Sequence, residues 1–237
     1  MVIKILYDNY SAKKPYKKGW GFACAVDNDL LFDTGEQGDS LLFNMKYAGI
    51  DCGQITNIVI SHDHWDHTGG LKDVLDVIKQ PKVYVCPDFG QDVRSAIKAS
   101  GAEYKEVSRL TLIRDNVYST GAITGYHRGT PIEEQSLVLK TEKGLVVITG
   151  CAHPGILEII KKVVQDFPGQ KIHGVFGGFH LMSMHKKELD KVYSGIADYK
   201  PEKVGPTHCT GDEAIEHAKT IFGSTFVPLG AGTVLEL

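Results

Sequence analysis

An excess of charge of one sign is missing from this sequence. Its 237 residues hold 26 Lys plus Arg against 29 Asp plus Glu, a formal net charge of −3. That balance removes the broad electrostatic attraction on which a nucleic-acid binder depends. Long apolar runs are missing too: no stretch approaches the ~18 residues that span a bilayer, so no membrane partner is expected. The opening Met1-Val2-Ile3-Lys4-Ile5-Leu6-Tyr7-Asp8 is too short in its apolar part for a secretory leader and has no small-residue cleavage site; it reads as a first strand. Cysteine is sparse. Cys24, Cys52, Cys86, Cys151 and Cys209 are odd in number, widely spaced and contain no CxxC pair. This argues against a disulfide framework and for a reducing cytoplasm. With no fixed-period repeat, low-complexity tract or Pro/Gly/Ser linker, one domain over residues 1–237 is expected.

What is present is ordinary globular composition, 42% hydrophobic and 23% charged, arranged as strands alternating with helices. Val2–Tyr7, Gly21–Val26 and Leu30–Phe32 carry strand patterns, and Ile58–Ile60 reads as a buried strand. Leu71, Val74, Leu75 and Ile78 recur at helical spacing. Asp88–Ala99 reads as a helix capped by Asp88. Ser136–Thr141 and Leu145–Ile148 flank a Glu-Lys-Gly turn and form a hairpin signal. The last third alternates again: helix Gly155–Gln165, strand Lys171–Phe176, helix Lys186–Tyr199, strand Lys203–Pro206, helix Asp212–Phe222, and a closing strand pair at Phe226–Pro228 and Thr233–Glu236. The expected class is α/β, with two sheets and helices outside them in a four-layer αββα sandwich.

One segment carries chemistry. Between the buried strand and the following helix stands His62-x-His64-x-Asp66-His67. Three imidazoles and a carboxylate within six residues form a ligand set that suits Zn²⁺, and apolar packing does not explain them. On an extended strand end, residues i and i+2 point the same way, so His62 and His64 can share one ion. Asp66 and His67 follow after the chain has begun to turn and can address a second. Gly69-Gly70 lets the backbone turn tightly.

These residues match the HxHxDH motif, and the chain resembles the metallo-β-lactamase superfamily of metal-dependent hydrolases over nearly its full length. Leu31-Phe32-Asp33-Thr34-Gly35 is similar to the superfamily's first motif. Thr149-Gly150-Cys151-Ala152-His153-Pro154-Gly155, Gly177-Gly178-Phe179-His180-Leu181 and Pro206-Thr207-His208-Cys209-Thr210-Gly211 resemble one branch, that of 7,8-dihydropterin-6-methyl-4-(β-D-ribofuranosyl)aminobenzene-5′-phosphate synthase. The resemblance implies an αββα sandwich of the metallo-β-lactamase type with its site at the sheet edges.

Within that layout, His153 and His208 each follow a strand and precede a helix, as His62–His67 does. They read as ligands: His62, His64 and His153 for one metal, Asp66, His67 and His208 for the other. Two divalent ions are expected, zinc first, with manganese or iron as alternatives. Asp33 is expected to orient a ligand. Asp66 is expected to help hold and aim a metal-bound hydroxide, and His180 to contact substrate or protonate a leaving group. Many members carry a bridging Asp where this chain has Cys151, so a thiolate or only water would bridge. His127, His173, His185 and His217 have no supporting spacing and read as surface or structural. The loop Lys13-Lys14-Pro15-Tyr16-Lys17-Lys18 would bind an anionic small-molecule substrate.

The implied reaction is metal-assisted hydrolysis of a small, phosphorylated or otherwise esterified molecule. A transferase releasing diphosphate while joining a dihydropterin to a ribofuranosylaminobenzene phosphate is the alternative, and a non-enzymatic metal-dependent binding protein a second one. A di-iron redox protein fits less well, since such members carry Glu where His64 stands.

Overall fold

The computed structural model describes all 237 residues. The chain divides into two compact units, Met1–Ser108 with Leu229–Leu237, and Arg109–Pro228.

The first unit is built on a seven-stranded sheet. Its strands are β1 (Val2–Tyr7), β2 (Ala23–Val26), β3 (Leu30–Phe32), β4 (Asn57–Val59), β5 (Lys82–Val85) and β6 (Glu103–Glu106), with β15 (Val234–Glu236) on the far edge beside β1. β3 through β6 run parallel. β2, β3 and β4 are buried along their whole length, so β2 and β3 read as unbroken apolar runs rather than alternating ones, while β4 opens on the buried Asn57. Helices α1 (Gly38–Tyr47), α2 (Trp65–Thr68), α3 (Leu71–Val77) and α4 (Gln91–Ala99) complete the unit. α1 buries Leu41 and Met45 and, between them, Asn44. The Asn44 amide donates to the carbonyls of Leu6 and Lys17, each at 2.7 Å, and its oxygen accepts from the Lys17 backbone at 2.8 Å. A buried amide with its partners satisfied costs little, and this one ties α1 to β1 and to the lysine-rich loop.

The second unit is a six-stranded sheet ordered β14-β13-β12-β11-β8-β7. The members are β7 (Thr111–Arg114), β8 (Val117–Ser119), β11 (Leu137–Thr141), β12 (Gly144–Thr149), β13 (Ile172–Gly178) and β14 (Lys203–Thr207), and a separate hairpin pairs β9 (Ile123–His127) with β10 (Thr130–Glu134). The expected hairpin is β11–β12, with Leu137 opposite Ile148. β12, β13 and β14 are parallel. Helices α5 (Ile156–Asp166), α6 (Lys186–Asp198) and α7 (Asp212–Phe222) cover the core. In α5 the buried residues Ile156, Ile159, Ile160 and Val163 fall at i, i+3, i+4 and i+7, the spacing of one helical face. They meet Val138, Val147, Val175 and Tyr193 in a single cluster.

The two sheets and two helix sets are the elements that the αββα reading requires. Several local expectations are corrected. The helix expected from Asp88 begins at Gln91 after Gly90; Pro87 and Gly90 keep the intervening chain irregular. Phe226–Pro228 forms only a single bridge, Val204 to Phe226. The hairpin β9–β10 was not marked by the pattern, because only Gly125, Ile132 and Glu134 of its ten residues are buried. Gly69 and Gly70 have ordinary helical backbone angles. They are required by close approach instead: a Cβ on Gly69 would strike the Glu36 carbonyl, and one on Gly70 the Thr34 carbonyl.

Candidate metal centre

Every motif residue lies just beyond the C-terminal end of a parallel strand, the edge where open α/β sheets place ligands. In the first unit Asp33 follows β3 and His62–His67 follow β4. In the second, His153 follows β12, His180 follows β13 and His208 follows β14. Adjacent registers align these ends, with Thr149 opposite Gly177 and Gly178 opposite Thr207. The backbone is unusual here as well. Asp33 (φ 58°), Ala152 (φ 65°), His180 (φ 54°) and His208 (φ 51°) all adopt left-handed angles, a conformation disfavoured for side-chain-bearing residues and concentrated at functional sites.

In the first unit the four sequence-predicted ligands His62, His64, Asp66 and His67 come together around Asp33. The Asp33 carboxylate is fully buried. It accepts from the Ser61 backbone at 2.6 Å and the Ser61 hydroxyl at 2.8 Å, and stands 2.7 Å from His67 Nδ1. Burial pushes its pKa up, while the His67 ring and the two Ser61 donors pull the other way. The Ser61 hydroxyl also meets His62 Nδ1 at 2.8 Å. His62 Nε2 lies 3.1 Å from His64 Nδ1, and His67 Nε2 lies 3.6 Å from an Asp66 oxygen. Thus the far nitrogens of His62 and His67 are each held by a hydrogen-bonding partner. Their Nε2 atoms face the other ligand candidates, that of His62 meeting His64 and that of His67 meeting Asp66. Metal-ligating imidazoles are held in this way. Asp33 therefore fixes the His67 ring through Nδ1 while being held itself by Ser61.

In the second unit a residue that the motifs did not mark does the same for His153. Glu134, at the end of β10, is fully buried. Its two oxygens accept from three successive backbone amides, Cys151 at 2.9 Å, Ala152 at 2.7 Å and His153 at 2.7 Å, and one stands 2.9 Å from His153 Nδ1. Burial raises its pKa, but the His153 ring and the backbone donors outweigh that and hold it at about 2. A signal existed in the sequence: Glu134 lies two residues after Ile132, on the same strand face, so it is a carboxylate on the buried side.

His153 has further company. His127, His153 and His180 bring ring nitrogens within 4.8 Å of one another, with the His153 and His180 ring centroids 4.5 Å apart and His127 and His180 6.1 Å apart. His127 was expected at the surface or in a structural role; the hairpin β9–β10 carries it to this group. Burial, then the neighbouring His153 and His127 rings, push the His180 pKa down. His208 is fully buried in the turn beside Cys209, whose thiol donates to the Cys151 carbonyl at 3.5 Å. Gly178 permits that packing, because a Cβ there would come 2.7 Å from the Cys209 sulfur.

Elsewhere, the lysine-rich loop leans on α1, with Lys17 Nζ 3.8 Å from Asp39 and over the Phe43 ring. His217 pairs with Asp190 at 2.7 Å, and His173 is buried in β13 with Glu202 3.2 Å away. No helix is long and apolar enough to cross a membrane.

In each unit, imidazoles anchored from behind by a buried carboxylate form donor sets that fit a divalent metal. Comparison with known proteins agrees with that chemistry. The metallo-beta-lactamase superfamily model matches residues 25–160. The chain is 24% identical to a 7,8-dihydropterin-6-methyl-4-(beta-D-ribofuranosyl)-aminobenzene-5'-phosphate synthase of Methanocaldococcus jannaschii, over 97% of this chain and 93% of that one. It is 31% identical to Tm1679, described as a metal-dependent hydrolase of the beta-lactamase superfamily, with a TM-score of 0.86 over 100% of this chain and 99% of that one. The short form of human tRNase Z shares the fold at a TM-score of 0.64 and 16% identity, over 100% of this chain and 99% of that one. On the motif, the fold and these likenesses together, the chain belongs to the metallo-β-lactamase superfamily.

Proposed function

We propose that the protein is a metal-dependent hydrolase acting on a small anionic ester or phosphoester. The reading assigns two divalent ions, zinc first, to His62, His64 and His153 and to Asp66, His67 and His208. The observation that carries it is the anchoring of ligand histidines through their far nitrogens, His62 by Ser61, His67 by Asp33 and His153 by Glu134. A histidine doing nothing but packing has no need of a buried carboxylate behind it.

When bound, divalent metals supply an acidified water and polarise the oxygen of the scissile group. The chain's own residues do the rest. Asp33 and Glu134 fix ring orientation, so no reorganisation is needed when substrate arrives. Asp66, buried beside His67, would help hold the second ion and aim its water. In this reading His180, in the turn after β13, contacts substrate or gives a proton to the leaving oxygen. The five free cysteines support a reducing cytoplasm as its location.

A second reading is favoured by the 24% identity to the Methanocaldococcus synthase over 97% of the chain: transfer to a dihydropterin with loss of diphosphate. A non-enzymatic metal-dependent binding protein is the third.

Elemental analysis of wild type, His64→Ala and Asp66→Ala, followed by a panel of small phosphoesters and thioesters, tests the assignment. Wild type should carry two ions per chain, His64→Ala should lose one, and Asp66→Ala should hold the other weakly. If both variants keep two tightly held ions and full activity, the assignment fails. Metal without hydrolysis, but with diphosphate release from a pterin methyl diphosphate, supports the transferase. Metal with neither activity leaves the binding protein.

A further inference from the structure

The second unit contains a cavity of about 190 Å³ with two histidines from strand-to-helix turns, His153 and His180, in its wall. Ile156 and Leu157 at the start of α5, Phe179 and Leu181 after β13, Met184, and Val192 on α6 supply the apolar lining. His153 and His180 supply the histidine end, and Glu158 on the first turn of α5 adds a carboxylate to the wall. We infer that this cavity is a subsite for one ring-sized apolar group, carried by the substrate next to the bond that reacts. The inference rests on the hydrolytic reading for the reacting bond, but the pocket itself does not.

Three observations carry it. The first is size: an apolar cavity of roughly 150 Å³ in another protein binds benzene, so 190 Å³ takes one six-membered ring and little more. The second is construction. Ile156, Phe179 and Leu181 are each at most 2% exposed and form a fixed floor, whereas Met184 is 36% exposed. A flexible thioether at the rim adapts to the shape of what enters. The floor is also held in place: the Phe179 amide donates to the Thr210 hydroxyl at 3.0 Å, and the Met184 amide to the Leu181 carbonyl at 2.9 Å.

The third observation is direction. His180 lines the cavity and is also 6.1 Å, ring to ring, from His127. A ring seated against Ile156 and Phe179 therefore presents its polar substituent to the histidines. The substrate class that follows is an aryl, or similarly ring-bearing, ester or phosphoester. Short alkyl esters would leave the cavity unfilled and lose the gain from burying apolar area.

The test separates the pocket from the reaction. In metal-free protein, benzyl alcohol is titrated and the methyl signals of Ile156, Leu157 and Val192 are followed by NMR. Saturable shifts confined to these methyls and their neighbours are expected, and Val192→Phe, which fills the space, should weaken binding about tenfold or more. Met184→Trp at the exposed rim does the same job if Val192→Phe fails to fold. In metal-loaded protein, phenyl phosphate should have a KM about tenfold below that of methyl phosphate, and the two variants should remove the difference. Absence of saturable shifts, or equal binding by wild type and both variants, overturns the subsite. Equal KM values for phenyl and methyl phosphate also overturn it, while leaving the hydrolase reading intact. Benzyl alcohol binding in a protein that hydrolyses no ester keeps the subsite and overturns the hydrolase reading instead.

Discussion

Glu134 and His153 are joined twice: one Glu134 oxygen lies 2.7 Å from the His153 backbone nitrogen and 2.9 Å from its ring Nδ1. A single carboxylate thus sets both where the histidine's backbone sits and which way its ring turns. Replacing it with Gln keeps the shape and one acceptor but removes the charge. Glu134→Gln should weaken metal binding by about 10–100-fold, the usual size of an outer-partner loss, read by competition with a chelator. Unchanged affinity would reduce Glu134 to a cap on the turn.

If Cys151 holds the place of the bridging Asp that the superfamily resemblance implies, the bridging carboxylate is missing from this chain. A thiolate beside divalent cations has its pKa driven down and is a soft ligand, favouring Zn²⁺ over Mn²⁺. We predict that Cys151 sets the affinity of the second ion. Cys151→Asp should tighten it and Cys151→Ala loosen it, in metal titrations of the three proteins. Superimposable titrations would leave Cys151 as packing behind the turn.

The loop Lys13–Lys18 is pinned at Lys17 by Asn44, which fixes its base. Replacing Lys13, Lys14, Lys17 and Lys18 together by Ala should raise KM for a phosphorylated substrate, more at low salt than at high. A KM that stays constant at every ionic strength would make the loop ordinary solvated surface.

Away from the motifs, His173 is 2% exposed within β13. Burial pushes its pKa below the usual imidazole value; Glu202 opposes the shift, and Lys203, Lys143 and Lys171 add to it. A base with a lowered folded-state pKa favours the folded protein while neutral. Its contribution is present above the unfolded-state pKa of about 6.5 and is lost as pH falls through the folded-state value. Wild type should therefore lose Tm between pH 7.5 and pH 5.5 more steeply than His173→Gln. Parallel Tm profiles would show that His173 does not carry this acid sensitivity.

How much was legible in the sequence follows from what each residue depends on. His62, His64, Asp66 and His67 occupy one turn, so spacing alone brings them together. Asp33 could be placed because it closes a strand in a recognisable motif. Glu134 and His127 could not, because their roles arise from a hairpin, β9–β10, with little apolar pattern of its own. Glu134 acts on a turn 17 residues further along, and no local periodicity records that pairing. The glycines of Gly69-Gly70 were rightly singled out for the wrong reason: their constraint is the Glu36 and Thr34 carbonyls, distant in sequence, rather than their own backbone angles. Strands β12 and β13 were legible as apolar runs because parallel central strands are buried on both faces.

The Cys151–His153 turn lies outside any strand or helix, yet its three consecutive amides all end on one buried carboxylate. Amide exchange there is governed by the opening of that carboxylate cradle rather than by loop fraying. These protons should exchange as slowly as those of the neighbouring strand β12. Glu134→Ala should release all three at once, so that the turn's dynamics are written in a side chain on a different hairpin.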